Sequence, residues 1–227
     1  MKKRITHAEV AYLLGLLLLA IGTAIMERTN LGLSMVVAPA YILHLKISAY
    51  LPFFSFGMAE YTLQAVLILV IILAVRKFKV SYLFSFLTAV LYGFLLDAFL
   101  FAFSMIPSLL WVRITIFVAG FLIVAFGVAL LFKTYISPEA YELFVKEISS
   151  RYKIDIHRLK TIYDISSLLL SVVMSFAFFG LGVFRGISWG TLVAALGNGL
   201  AIKLAGKIFD KFFEFNDGLK WRSFFEK

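Results

Sequence analysis

Eight charged residues that lie in or beside long apolar segments are the first candidates for chemistry. They form two groups, one near each side of a membrane: Arg28, Glu60, Asp97 and Arg113, then Lys133, Glu139, Asp164 and Lys203. Ionisable side chains in a membrane are costly and often functional. Each group mixes acids with bases, so each could form a gate of paired charges. The alternative, charges that snorkel or pair at helix ends, is favoured because none of the eight lies clearly at a helix centre.

A second candidate is a polar interruption near the middle of the last apolar segment. Two glycines there weaken a helix by about 1 kcal/mol each relative to alanine, and an asparagine amide both donates and accepts hydrogen bonds. The predicted substrate site comprises Gly197, Asn198, Gly199 and Thr191, with Tyr92 and Gly93 as the counterpart in the first half. The alternative is close packing of helices through small residues, with the asparagine bonded across the contact.

Other kinds of chemistry are not indicated by the sequence. His7, His44 and His157 are scattered without metal-ligand spacing, and the chain has no cysteine. It has neither a glycine-rich phosphate loop nor a recognisable nucleophile motif. We therefore expect a protein that is not an enzyme and that uses no metal and no cofactor.

The composition requires a membrane environment. Of 227 residues, 62% are hydrophobic and 15% are charged, whereas a soluble domain has about 45–50% apolar and about 25% charged residues. The mean hydropathy of +0.97 also excludes a disordered chain. The net charge of +9 would suggest nucleic-acid binding in a soluble protein. Here the basic residues stand between apolar runs, so the expected partner is the lipid bilayer and not nucleic acid.

Six segments are long enough to span a bilayer as helices, since about 20 apolar residues suffice. The predicted spans are 8–27, 53–75, 80–103, 107–132, 162–184 and 187–208. With the N-terminus inside, the inner segments hold most of the basic residues, and the outer ones hold only Arg28, Lys46 and Arg185. This asymmetry predicts a multi-pass protein of the inner (cell) membrane with both termini in the cytoplasm. The first apolar run is interpreted as a retained helix and not as a signal peptide.

Two short segments and a tail accompany the spans. Segment 31–45 is mostly apolar but short and contains Pro39, which favours a re-entrant or interfacial piece. Segment 137–152 has helical spacing of apolar residues, with Ser137 as the expected N-cap. We expect this amphipathic helix on the cytoplasmic surface or packed under the bundle. The basic aromatic tail, 211–227, is predicted to be an interfacial anchor.

The two halves of the chain resemble each other at an offset of roughly 104 to 107 residues. Segment 21–24 aligns with 126–129, Glu60 with Asp164, and Tyr92-Gly93 with Asn198-Gly199. An odd number of spans per half makes the second half inverted. The predicted fold is an all-α polytopic membrane protein of six transmembrane helices, arranged as two inverted three-helix repeats, each with a short re-entrant or interfacial helix. The predicted divisions are 1–105, 106–210 and the tail, 211–227.

Short motifs carry a resemblance to a known family. They are Thr29-Asn30-Leu31-Gly32-Leu33-Ser34, Tyr92-Gly93 followed by Asp97, Pro138-Glu139, Tyr163-Asp164 and Gly190-Thr191. With these motifs the chain resembles the YczE/YyaS/YitT group of bacterial membrane proteins, in a branch of unknown function. It departs from that group at Met35, where proline is frequent, and at Trp189, where an acidic residue often precedes the Gly-Thr pair. The resemblance implies a bacterial inner-membrane protein and supplies no substrate.

Two functions follow from these patterns. The first is a transporter or channel for a small neutral or polar solute, with a site near the midplane at the repeat interface. The alternative is a non-transporting membrane scaffold or regulatory partner protein, acting through helix 137–152 and the basic tail. The sequence leaves open whether the protein forms a homodimer.

Overall fold

The computed structural model describes residues 4–103 and 109–219. Several predicted features therefore lie outside the described residues: the basic residues Lys2 and Lys3, the beginning of the predicted span 107–132, and the aromatic end of the tail, 220–227.

Six of the described helices are long and apolar enough to cross a membrane. They are α1 (Ala8–Arg28), α3 (Phe56–Val75), α4 (Val80–Ala102), α5 (Leu110–Leu131), α7 (Ile156–Phe179) and α8 (Trp189–Phe212). The chain is thus a polytopic helical membrane protein, as the hydropathy of the sequence predicts. The aliphatic runs have no alternation that would suit strands, and only helices satisfy all their own backbone groups in lipid.

The bounds of α7 differ from the predicted span, 162–184. The helix begins earlier because the Asp155 carboxylate accepts a hydrogen bond from the Arg158 backbone N–H at 2.9 Å, which caps its first turn. It ends at Phe179 because Gly180, with φ of 102°, takes a backbone conformation that does not continue a helix.

Two shorter helices do not cross the bundle: α2 (Ala38–Ile47) and α6 (Ala140–Tyr152). Helix α6 starts later than predicted because the carbonyls of Ser137 and Pro138 accept hydrogen bonds from Thr88 and Ser85 of α4. Ser137 is consequently not the N-cap, a position that Glu139 occupies without a side-chain cap bond. Six of its thirteen residues are buried, so α6 packs against the bundle, which is one of the two placements that the sequence predicted.

The end segments of the described chain meet as two parallel strands that the sequence did not predict. Strand β1 (Arg4–His7) pairs with β2 (Phe213–Asn216), with Arg4 opposite Phe213. Strand β1 leads directly into α1, and β2 directly follows α8. The first span therefore begins on the side where the last span ends, which requires an even number of crossings.

Helices α1 and α5 form the central pair of the bundle. They run antiparallel and touch through glycines, because a Cβ placed on Gly15 would lie 2.9 Å from the carbonyl oxygen of Gly127, and one on Gly22 would lie 2.7 Å from that of Gly120. Such close approach is typical of helices that pack in lipid through small residues.

Candidate functional site

The helices contact one another in a pattern that repeats between the two halves. Helix α4 packs on α1 as α8 packs on α5, and α3 packs on α6 as α7 packs on α2. Helix α2 also contacts α3, as α6 contacts α7. The glycine pairs of α1 and α5 follow the same rule, since an offset of about 105 residues exchanges Gly15 with Gly120 and Gly22 with Gly127.

Two pairs of helices break this pattern: α3 packs on α4 and α4 contacts α6, whereas the corresponding pairs, α7–α8 and α8–α2, have no extended contact along the described helices. Helices α3 and α4 pack closely, and a Cβ on Gly93 would lie 2.7 Å from the carbonyl oxygen of Gly57. The Asp97 carboxylate fastens the contact by accepting hydrogen bonds from the Ser55 hydroxyl at 2.5 Å and the Gly57 N–H at 2.8 Å.

The corresponding helices α7 and α8 have no extended contact along the lengths that the structure describes. Only 17% of the α7 span and 11% of the α8 span are buried. A Cβ on Gly199, the counterpart of Gly93, or on Gly206 would meet nothing within 4 Å. The first half is therefore closed where the second half is open.

A cluster of polar side chains lies buried where α3 meets the beginning of α6. Glu60 and Gln64 are fully buried and stand one turn apart on α3. The Tyr141 hydroxyl donates to Glu60 Oε2 at 2.8 Å, and Gln64 Nε2 donates to the same oxygen at 3.5 Å. Gln64 Oε1 accepts the Ala140 backbone N–H at 3.0 Å, which ties α6 to the interior of the bundle.

Glu139 completes this cluster, and we call Glu60 and Glu139 the buried carboxyl pair. Glu139 directly precedes Ala140, whose N–H bonds Gln64, so its side chain lies beside Gln64. Burial, followed by the proximity of Glu60, raises the pKa of Glu139 well above its usual range. In each carboxyl group of the pair, Oε1 is buried and has no hydrogen-bond partner. An unsatisfied buried polar atom is costly and needs an explanation.

Two hydroxyl contacts bring α1 and α4 into the same region. The Tyr12 and Thr88 hydroxyls are 2.7 Å apart, and the Tyr92 hydroxyl donates to Thr23 Oγ1 at 3.1 Å. All four side chains are buried. The centre of the bundle is therefore polar, although the helices that enclose it are apolar outside.

The charged residues predicted to form two gates are arranged differently. Arg28 donates to the Leu100 carbonyl at 2.5 Å and Arg113 to the Thr29 carbonyl at 2.6 Å, while Lys133 pairs with Asp210 at 2.6 Å. Asp164 pairs with Lys160 at 3.0 Å, and Lys203 is exposed. Among the described contacts, no acid of either group pairs with a base of its own group.

The assignment of Glu60 and Glu139 to opposite sides of the membrane was wrong. The chain that precedes α6 enters the bundle beside Thr88 and meets Gln64, and α6 then returns to Lys79, which pairs with Glu147 at 2.7 Å. Glu139 thereby reaches the depth of Glu60. Neither residue lies at the centre of a helix, since Glu60 is the fifth residue of α3 and Glu139 precedes α6, but both are buried inside the bundle.

The residues predicted to bind substrate lie on two helices with different neighbours. Tyr92 and Gly93 of α4 are buried against α1 and α3. A Cβ on Gly197 of α8 would lie 3.2 Å from the Phe121 ring of α5. Asn198 is half-buried, and its Oδ1 is buried without a hydrogen-bond partner.

Thr191, which the sequence predicted as part of a substrate site, has a structural role. Its hydroxyl oxygen accepts the backbone N–H groups of Leu33 at 3.2 Å and Ser188 at 3.3 Å. Gly32 has φ of +112°, and a Cβ there would lie 2.8 Å from the Thr191 backbone nitrogen. Thr191 thus fixes the connection after α1 to the beginning of α8.

Two cavities of about 260 Å³ each occupy corresponding places in the two halves. The first is lined by α2 and the α7–α8 turn and includes Glu27, Tyr41 and Arg185. The second is lined by α6 and the α3–α4 turn and includes Lys79 and Glu147. Within the described ranges, no group of three or more histidine or acidic side chains is arranged to hold a metal ion.

Sequence reasoning missed Gln64 and Tyr141 as members of the site. A signal for Gln64 was present, because a lone amide four residues after an acid lies on the same face of a helix. Tyr141 gave no comparable signal, since its spacing is that of an apolar residue on an amphipathic helix.

Comparison with known proteins gives a family and no further relative. A model described as a family of unknown function, DUF6198, matches residues 6–207. No curated protein and no solved structure matches the chain.

Proposed function

The chain belongs to the DUF6198 family of unknown function, and from this premise we propose that it is a small-solute transporter or channel built from two inverted repeats. The observation that carries the proposal is the helix packing, which corresponds between the halves for most helix pairs but is closed at α3–α4 and open at α7–α8. Transporters of inverted repeats work by holding the two repeats in different arrangements around one central site.

The proposed solute site lies where α8 borders the open side of the bundle. Asn198 Oδ1 has no hydrogen-bond partner, and Gly199 faces empty space. A solute with a hydrogen-bond donor would satisfy this buried oxygen. Tyr92 and Gly93 occupy the corresponding position in the closed half, where α3 covers them.

The proposed location is the inner membrane, with the side that carries β1 and β2 in the cytoplasm. The α3–α4 turn lies on that side and holds Arg76, Lys77 and Lys79. Positive charge in short connections favours the cytoplasmic side. The motifs described above also support kinship with the YczE/YyaS/YitT group, and we propose that the protein is not an enzyme.

Cross-linking across the open side tests whether the second half closes. In a Thr161→Cys/Gly199→Cys protein, the cysteines replace the counterparts of Gly57 and Gly93. If the halves exchange arrangements, a short thiol cross-linker should join α7 to α8 within one chain in native membranes, as detected by mass spectrometry of the digested protein.

The two single-cysteine proteins are the matched controls, since they link only between chains. Absence of the intrachain link in folded protein would favour the scaffold alternative. That alternative relied on an accessible helix 137–152, whereas Tyr141, Leu143 and Val145 are buried against the bundle.

Substitution of Asn198 tests the proposed solute site. Proteoliposomes would be screened for uptake of small neutral and polar solutes. For any solute that the wild type admits, Asn198→Leu should abolish uptake and leave expression intact, because leucine cannot accept a hydrogen bond. The matched control is Leu196→Ala, a lipid-facing change two positions away. Normal uptake by Asn198→Leu would remove Asn198 from the site.

A further inference from the structure

We propose that Glu60 and Glu139 form a binding site for one proton at the centre of the bundle. In the proposed transporter, this proton would be the coupling ion. That coupling role rests on the proposed function, but the proton site does not.

The hydrogen bonds around the pair leave a place for one more donor. Glu60 Oε2 already accepts from Tyr141 and Gln64, and Gln64 Oε1 is occupied by the Ala140 N–H. Glu60 is fully buried, and Oε1 of both glutamates has no partner. Two carboxylates are acceptors only. A proton on one of them creates the missing donor.

The charges around the pair also require a cation. The titratable groups that face it are Tyr12 from α1, Tyr92 from α4, Tyr141 and Glu142 from α6, and Lys160 and Tyr163 from α7. Among these surrounding groups of the described chain, the cation is Lys160. Its ammonium group is already paired with Glu142 at 3.4 Å and with Asp164 at 3.0 Å. Glu60 and Glu139 therefore lie in one buried cluster, beside Gln64, without a countercharge of their own.

A shared proton would supply both the missing hydrogen-bond donor and the missing positive charge. Two carboxylates buried in one cluster cannot both ionise cheaply, so one retains its proton into the neutral range. A metal ion is less suited to the site, because the pair supplies only two acidic side chains and the nearby amide oxygen of Gln64 is already bonded.

Because of where the pair lies, release of the proton would affect the contact between the two halves. Glu60 belongs to α3, and Glu139 immediately precedes α6, so the pair spans the contact between the two halves. Loss of the proton would place two negative charges at this contact and weaken it. In a transporter, such a step would favour exchange of the closed and open arrangements.

Infrared spectroscopy of the purified protein in lipid nanodiscs tests the proton site directly. A protonated carboxyl group has its own carbonyl absorption, distinct from that of a carboxylate. We expect this absorption in the wild type at about pH 7, and its loss on titration to strongly alkaline pH. The Glu60→Gln/Glu139→Gln protein should lose it at about pH 7 already. Glu142→Gln, which changes a neighbouring acid that has a cation partner, should retain the band assigned to the pair.

Each result decides the proposal. Absence of the absorption in the wild type would overturn it without any variant, and so would its persistence in a folded double variant. Loss of the band in the wild type when sodium replaces choline at constant pH would assign the site to a metal cation instead. Solute uptake is not part of this measurement. A protein that fails the cross-linking test can therefore still hold the proton, and one that passes it can lack the proton.

Discussion

At the scale of single residues, whether a side chain in this bundle is buried depends more on which neighbouring helix covers it than on how far along its own helix it lies. Glu60 is only the fifth residue of α3, yet it is fully buried because α6 covers it from the side. The sequence reveals how far a residue lies from a helix end. It does not reveal that a distant connection enters the bundle and meets that residue.

The first prediction concerns the pH dependence of stability. Because burial and Glu60 raise the pKa of Glu139 in the folded protein, the folded state holds a proton that the unfolded state has lost above about pH 4.3. The contribution of Glu139 to stability is thus most favourable in acid and decreases as pH rises through the raised pKa. In Glu139→Gln the apparent melting temperature in detergent should decline less steeply from about pH 5 to about pH 9.

Glu214→Gln is the control for this prediction, since Glu214 is exposed on β2. It should keep the pH profile of the wild type. An unchanged slope in Glu139→Gln would show that Glu139 is ionised in the folded protein across this range.

The second prediction concerns the glycines between α1 and α5. A Cβ on Gly22 would lie 2.7 Å from both the Gly120 carbonyl oxygen and Val124 Cγ2. Gly22→Ala should therefore lower the free energy of unfolding by about 1–3 kcal/mol through overpacking. Gly206→Ala, where a Cβ meets open space, should raise it by about 0.5–1 kcal/mol. Thermal unfolding of both proteins in one detergent measures the difference, and equal effects would refute the close contact.

At the scale of helices, the sequence correctly predicted six membrane-spanning helices. It predicted less well where α7 begins and how deeply α6 lies in the bundle. Six spans of the right length follow from hydropathy, because lipid requires long apolar helices. The beginning of α7 did not follow, since the cap at Asp155 extends the helix through the mixed segment 156–161, whose basic residues kept it out of the predicted apolar span. The depth of α6 did not follow either, because hydrogen bonds from Ser85 and Thr88, which are distant in sequence, determine it.

The third prediction concerns the closure of α3 on α4. Asp97→Ala removes the acceptor for Ser55 and Gly57, and should cost about 1.5–3 kcal/mol in the free energy of unfolding. The matched control is Lys203→Ala, the repeat counterpart, which is exposed and should change stability by less than about 0.5 kcal/mol. Chemical unfolding of the two variants tests this, and similar losses would show that the closure of the first half does not depend on Asp97.

At the scale of the whole molecule, the corresponding contacts of the two halves have consequences for topology. If the second half is inverted as we propose, α2 and α6 approach the bundle from opposite sides of the membrane. The sequence offset suggested this relation from scattered pairs such as Glu60 and Asp164. It could not predict that the halves would differ in closure, because that difference is a property of helix packing.

The fourth prediction places these two short helices relative to the membrane. Tyr50, just after α2, is exposed, as is Arg151 near the end of α6. In intact cells an impermeant thiol reagent should label Tyr50→Cys and not Arg151→Cys, and permeabilised cells should label both. The chain has no cysteine, so the unmodified protein is the blank. Labelling of both positions in intact cells would contradict the inverted arrangement.

The strand pair β1–β2 has a consequence for how the protein is made. Glu9, at the beginning of α1, accepts hydrogen bonds from Gly218 and Leu219, which lie 209 and 210 positions later in the chain. During synthesis the first helix must therefore wait in the bilayer, with its leading strand unpaired, until the last helix has been inserted. A chain cut before Phe213 would contain all six spans but lack β2, so the first and last spans would not be joined by the strand pair.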